Sequence, residues 1–310
     1  MLTAPFFRKG LDIMQKRMIS VSAQRRREAY FFILPAFVYI LLVMGYPMVY
    51  NAVLSLKNMN VKNLKSGASV FIGFQNYVEL FGNETFLLVL KNTFVFTIAC
   101  LIFQFTIGFA FALFFKQNFP LSGIIRGMIL ISYMMPMAVT GLLGKNIFMN
   151  DGLVNNLLKR IGIIGPEWLT NTTSSLTAVI IMNCWVGIPF NMLLLISGLT
   201  SISNDVYESA MIDGANWGQR FFLITLPLMK SAIFAVLMLG FIYTFRAFDL
   251  MYIMTKGGPL NSTDVLGTYS YMFSFTQFQF SKGAATAMVL FACLFVVGMF
   301  YLHLLGKEEE

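Results

Sequence analysis

DVYESAMIDGANWGQRFFLITLPLMK, residues 205–230, lies between two long apolar runs at 176–200 and 228–252, yet carries Asp205, Glu208, Asp213 and Arg220. Val206, Tyr207, Ala210 and Met211 share one helical face, and Asp205 and Glu208 have capping-box spacing, which predicts a helix starting at Asp205. Asp213-Gly214 ends that helix, because glycine tolerates the positive φ of a sharp turn. Asn216 and Gln219 repeat the cap spacing, and Trp217, Phe221 and Ile224 recur at helical intervals. Pro227 stands where the next span can begin without losing a bonded N–H. The stretch therefore reads as two short helices at a membrane surface. Elbows that merely lie on a bilayer favour Lys and Arg on their polar face. This one has three acids and one Arg, so it reads as an element that docks a partner.

Outward from it, the whole chain is apolar. Of 310 residues 57% are hydrophobic and only 12% charged, against about 25% in soluble domains. Runs long enough to cross a bilayer occupy 30–54, 92–115, 121–148, 176–200, 228–252 and 284–305. Six such runs cannot all be buried within 310 residues, which excludes a large soluble core. An even number of spans puts both termini on one side. Seven of the 22 Lys and Arg precede residue 30, and Arg25, Arg26 and Arg27 abut the first span. That cluster places the N-terminus in the cytoplasm. The first span is too long for a signal-peptide core and reads as an uncleaved helix.

The net charge of +8 gathers at the cytoplasmic edge, where anionic headgroups attract it; nucleic acid is not an expected partner. Cys100, Cys184 and Cys293 lie inside spans without a CxxC pattern and read as small packing residues. His303 has no partner for metal or proton-relay work.

Within the spans, polar groups mark the interior face or a water-filled cavity. Gln104 is the one strongly polar group of span two. Span four gathers Asn183, Trp185, Gly187, Pro189 and Asn191 near its centre, and span five holds Gly240, Tyr243, Thr244, Arg246 and Asp249. Asn183 and Thr244 fall at matching depths, about 6–8 Å outward of the midplane, because their helices run in opposite directions. Asn183, Gly187, Gly240 and Thr244, with Phe190 and Tyr243 beside them, form the expected solute path. Helix packing alone is the other reading of these residues. Arg126 and Lys145 frame a span of about 27 Å and are expected to reach opposite interfaces. Arg246 and Asp249, three apart, are expected to pair on one helix face.

Glu208-Ser209-Ala210-Met211-Ile212-Asp213-Gly214, followed after nine residues by Ile224-Thr225-Leu226-Pro227, resembles the EAA signature of ABC importer permeases, with Ser209 as a small-for-small departure. FILPAFVYILLVMGYPMVY, FIGFQNYVELF, LKNTFVFT, GLTSISNDVYESAMIDGA, FDLMYIMTKGGP and FSKGAATAMVL are similar, in this order, to the maltose-type sugar branch, over roughly 28–305. The resemblance implies an all-α, six-helix type I importer transmembrane domain with both termini inside, at residues 30–306. Short cytoplasmic tails at 1–29 and 307–310 flank it, and the coupling loop spans 203–227. It further implies that residues 205–224 are coupling helices seated in a cleft of a cytoplasmic ATPase. Glu208 would make the polar contact, Gly214 the turn, and the face around Met211 and Phe221 would fill the cleft. Ala210, Asp213, Ala215 and Pro227 complete the coupling positions. In this branch the sugar contacts lie on spans four and five.

A phosphate-cradling loop needs G-x-x-x-x-G-K-[ST], and the nearest match, VTGLLGKN, fails at Val139 and Asn146. ATP and Mg are therefore expected on a partner, with no cofactor and no catalysis on this chain. The expected partners are a second permease subunit, two ATPase subunits, an extracytoplasmic solute-binding protein, a sugar ligand and membrane lipid, in a bacterial or archaeal inner membrane. Glycerol phosphates or another polar solute are the alternative cargo. A secondary transporter would show inverted repeats or carboxylates deep in a span, and a membrane-embedded enzyme would show clustered acids, His or Cys. Neither pattern is present in the sequence. Transport without any ATPase partner would mark out those classes.

Overall fold

A computed structural model describes residues 29–64, 69–117 and 119–306. The expected tails, Ala29 apart, lie outside them. The chain divides into two compact units at Val53–Leu54. The first carries most of helix α1 (Ala29–Ser55), which is apolar on all sides, as a helix facing lipid is. At Leu41–Gly45 α1 widens into a π turn, with the Tyr46 N–H bonded to the Leu41 carbonyl.

The second unit opens with a two-stranded antiparallel hairpin, β1 (Lys57–Asn58) on β2 (Val70–Phe71), and α2 (Gln75–Phe81). Buried Asn76 donates to the carbonyls of Ser55 and Lys57 at 2.7 and 2.8 Å, tying α2 to the hairpin. Asn83 caps α3 (Glu84–Lys116) by accepting the Thr85 N–H at 2.8 Å. Then follow α4 (Ser122–Met134), α5 (Met137–Phe148), α6 (Leu153–Arg160) and α7 (Ser175–Thr200). The elbow comprises α8 (Asn204–Ile212) and α9 (Trp217–Leu228), and α10 (Lys230–Phe245) continues from it. α11 (Asp249–Met254), α12 (Leu266–Tyr271) and α13 (Phe280–Gly306) complete the chain.

α3 and α7 share the most extensive helix–helix contact, and half of the apolar window of α7 is buried, against 17% for α13. α7 is therefore the central post. Its close approach to α3 depends on Gly108, where a Cβ would fall 2.8 Å from the Asn191 Cβ and 3.2 Å from the Ile188 carbonyl. Small residues allow such backbone proximity where lipid supplies no hydrophobic drive between helices. Three apolar clusters follow one another along α3. One forms around Phe96, Phe148, Met182 and Met254, a second around Phe86, Phe245 and Tyr269, and a third around Phe109, Leu195, Leu199 and Met229.

Four helices are unbroken spans: α1, α3, α7 and α13. The other two expected spans are bent. The third turns by 96° between α4 and the stretch Met137–Arg160. Met135 at the break is extended (φ −74°, ψ 136°), the conformation that Pro136 favours in its predecessor. Arg126 and Lys145 therefore do not frame one straight helix. Arg126 instead donates to the Phe115 carbonyl at 2.8 Å, closing the C-terminal end of α3. The fifth span bends by 68° at buried Met229, where α9 meets α10. Pro227 lies two residues before that break rather than at the head of the span. It follows a second π turn, Phe221–Thr225, as Pro47 follows the first. A widened turn moves carbonyls away from the proline ring that would otherwise meet them.

Span five ends at Phe245, so Arg246 and Asp249 fall on different elements and the expected pair does not form. Arg246 sits 5.1 Å over the Tyr243 ring instead. The aromatic run after residue 268, which shows no single period in the sequence, is helical in α12 and a third π turn at Met272–Thr276.

Candidate functional site

A cavity of about 360 Å³ opens between α4, α7, α10 and the start of α11. Asn183, Gly187, Phe190, Gly240, Tyr243 and Thr244, the six residues of the expected solute path, all line it. Gln104, Tyr133, Met137, Arg246 and Asp249 line it too. Gln104 lies twelve residues before the inner end of α3, which puts the cavity about 18 Å from that end and slightly outward of mid-bilayer.

Each lining group has a local cause. At Gly187 a Cβ would fall 2.3 Å from the Gln104 Cδ, so the glycine makes the space that Gln104 occupies. Buried Gln104 then donates to the Asn183 carbonyl at 3.1 Å, joining α3 to α7 at the cavity floor. Pro189 has no N–H, which leaves the Trp185 carbonyl without its helical donor. The Ser132 hydroxyl of α4 donates to it at 3.1 Å. Asn191 donates to the Gly187 carbonyl at 2.9 Å. Asn191 of span four is thus turned back onto its own helix, while Asn183, and Thr244 of span five, border the open space.

One wall is aromatic. Tyr133 stacks on Phe190 (5.6 Å, 26°), Phe190 meets Tyr243 edge-on (5.8 Å, 88°), and the Arg246 guanidinium covers Tyr243. This wall presents flat apolar faces beside amides, a hydroxyl and two exposed charges, Arg246 and Asp249. Sequence reasoning singled out Gln104 as polar but did not place it here. Tyr133 gave no signal, because its helix breaks two residues later.

The cytoplasmic elbow lies at the inner ends of the same helices. Its first helix starts two residues earlier than the acid spacing predicts: Ser203 is the cap, accepting the Asp205 N–H at 3.3 Å. At the far end Ala215 N–H reaches the Ala210 carbonyl (2.9 Å) and Gly214 N–H the Met211 carbonyl (3.1 Å), with Gly214 at φ +79°. This is a Schellman closure, and it requires the left-handed residue that Gly214 supplies. Asn216 and Gln219 form the expected reciprocal box at 2.9 and 2.8 Å.

The elbow is anchored from above. Phe221 stacks on Trp217 at 5.4 Å and leans on Phe109 of α3 at 5.6 Å, so Phe221 faces this chain's own core. Lys116 sits 4.1 Å over the Tyr207 ring, and the Tyr207 hydroxyl meets the Thr225 hydroxyl at 3.1 Å. Ala210 is buried. Glu208, Met211, Asp213, Gly214 and Pro227 are exposed, and so are Ile212 (87%) and Trp217 (66%), two apolar tips not among the expected coupling positions.

A bundle of membrane-crossing helices with a polar cavity slightly outward of mid-bilayer, and an exposed elbow rooted in the cavity's own helices, defines a membrane permease. Residues 104–307 match the family described as binding-protein-dependent transport system inner membrane component, and the chain belongs to that family. It is 32% identical to the sulfoquinovosyl glycerol transport system permease protein SmoG of Agrobacterium fabrum, over 89% of each chain. It is also 32% identical to the lactose transport system permease protein LacF of Rhizobium radiobacter, covering 91% of this chain and 95% of that one. Among solved structures, a chain of a bacterial ABC transporter that imports the acidic polysaccharide alginate superimposes with a TM-score of 0.76 at 22% identity, covering 93% of this chain and 98% of that one. The fold is that of an ABC importer permease, in a multi-pass inner membrane protein.

Proposed function

We propose that this chain is the carbohydrate-conducting subunit of an ATP-driven importer. The cavity carries the reading: its aromatic wall suits the apolar faces of a sugar ring, and Gln104, Asn183 and Thr244 suit hydroxyls that need directional hydrogen bonds. The cargo named for SmoG and LacF, a sulfoquinovosyl glycerol and lactose, supports the same class. In this account the chain binds no ATP or Mg and catalyses nothing. Two ATPase subunits hold the nucleotide, a second permease subunit completes the path, and an extracytoplasmic binding protein delivers the sugar. ATPase closure moves α8 and α9, and their attachment to α7 and α10 carries that motion to the cavity.

The elbow contact is assigned to Glu208, Met211, Asp213 and Gly214, with Ile212 and Trp217 as apolar tips. Ala210, Ala215, Phe221 and Pro227 hold its shape. An anionic solute, such as a glycerol phosphate, is favoured by one observation: Arg246 borders the cavity with its guanidinium on Tyr243 and not on Asp249. Uptake assays in proteoliposomes holding the assembled transporter separate the two. The carbohydrate reading predicts ATP-dependent accumulation of a neutral sugar that survives Arg246→Gln. Uptake of glycerol phosphate alone, lost on Arg246→Gln, would overturn it.

A further inference from the structure

A second surface lies at the outer end of the bundle. α6 is sharply two-sided. Its inner face is fixed by buried Asn155, which donates to the carbonyls of Asn150 and Pro166 at 3.1 and 3.2 Å and accepts the Trp168 indole N–H at 2.9 Å. Trp168 packs edge-on against Phe148 (5.3 Å), in the cluster that holds Ala178 and Val179 near the start of α7. α6 is thereby pinned level with the outer end of the central helix, where the hydrocarbon gives way to headgroups. Its outer face carries Leu153 and Leu157 beside exposed Asn156, and just past its end Ile161, Ile163 and Ile164 are exposed as well, the last at 94%. Lys159 and Arg160 border that stripe. Lys159 meets Asp151 at 3.6 Å in an open surface pair, and Glu167 accepts the Thr170 hydroxyl.

We infer that residues 153–164 form a lipid-binding surface, with the Leu/Ile stripe sunk into the outer leaflet and Lys159 and Arg160 on anionic headgroups. The charge logic that argues against the acidic elbow 205–224 lying on a bilayer argues for this segment, which holds two cations and no acid. A groove for a protein partner would be expected to bring aromatic anchors into the patch; this one has none and is mainly aliphatic, edged by Arg160, Asn156 and the Lys159–Asp151 pair. The segment would fix the outer end of the bent third span against the membrane while the inner ends move.

The test uses the wild-type assembled transporter in nanodiscs containing a lipid with a photoactivatable group near its headgroup, with adducts mapped by mass spectrometry. Adducts on residues 153–164 are expected, with a yield that rises when phosphatidylglycerol replaces phosphatidylcholine. Each cation contributes about fivefold to that preference, so Lys159→Gln with Arg160→Gln should abolish it while leaving adducts on the lipid-facing residues 295–300 unchanged. Labelling of 295–300 without labelling of 153–164 would overturn the inference. So would loss of the 153–164 adducts on adding the extracytoplasmic binding protein, which would show a protein-docking surface instead. A yield indifferent to phosphatidylglycerol would remove the headgroup contact.

Discussion

At Gly187 the missing Cβ leaves room for Gln104, and with it for the bond that closes the cavity floor. Gly187→Ala forces Gln104 out of that space, an overpacking change expected to cost about 1–3 kcal/mol. The Tm of the purified assembly should fall, and solute uptake with it. Gln104→Ala added to Gly187→Ala should restore the Tm, since the two sites share one space; a double variant no more stable than the single one would contradict this pairing. A second residue acts through its proton. Asp264, in the outer loop before α12, is buried with its carboxyl accepting the Thr268 hydroxyl at 2.8 Å. Burial pushes its pKa above the usual carboxylate range, against the opposing pull of that hydrogen bond. A raised folded-state pKa means that the native chain holds the proton longer than the unfolded one. Stability from this group is therefore greatest below the unfolded pKa and is lost as pH rises through the folded one. Asp264→Asn keeps an acceptor for Thr268 and should raise the Tm at pH 8 but not at pH 4, measured against wild type at each pH.

Among the elements, what the sequence revealed and what it hid have separate causes. Spans are legible because twenty apolar residues in a row have few other uses, and the EAA-like run placed the elbow between the right two. The bend in span three was not legible: Pro136 stands inside a run that remains apolar on both sides, and prolines are tolerated in such helices. The break at Met229 has only Pro227, two residues before it, as a local signal, and a proline there marks the first turn of a helix just as readily. Ser203 took the capping role expected of Asp205 because either side chain can accept the first free N–H groups, and only the geometry decides between them. The cavity residues were legible as polar or small groups at equal depth. Their sharing with Tyr133 and Gln104 was not, because helix rotation fixes which face meets which. Ser132 illustrates a role visible only in three dimensions, as the donor for the carbonyl that Pro189 leaves bare. Ser132→Ala should cost about 0.5–1.5 kcal/mol by removing that part-buried hydrogen bond, read as a lower Tm. A Tm unchanged from wild type would show that the break is satisfied in another way.

In this account the second unit works as a conduit joined to a lever. The elbow hangs from α7 and α10, the helices that border the cavity, and is stapled to α3 through Phe221–Phe109 and Lys116–Tyr207. Those contacts belong to this chain, whereas Glu208, Met211, Ile212 and Trp217 project from it. The sequence offers no phosphate-binding loop, so in this account the force enters through those exposed side chains. The most direct test is the amount of ATPase that co-purifies in mild detergent from native membranes with wild type and with Glu208→Ala. Loss of one charged hydrogen bond is worth about 1.5–3 kcal/mol, so retained ATPase should fall by about tenfold or more, while the permease itself stays folded and in the membrane. A chain that emerges alone in both cases, folded and still moving solute, would contradict the account.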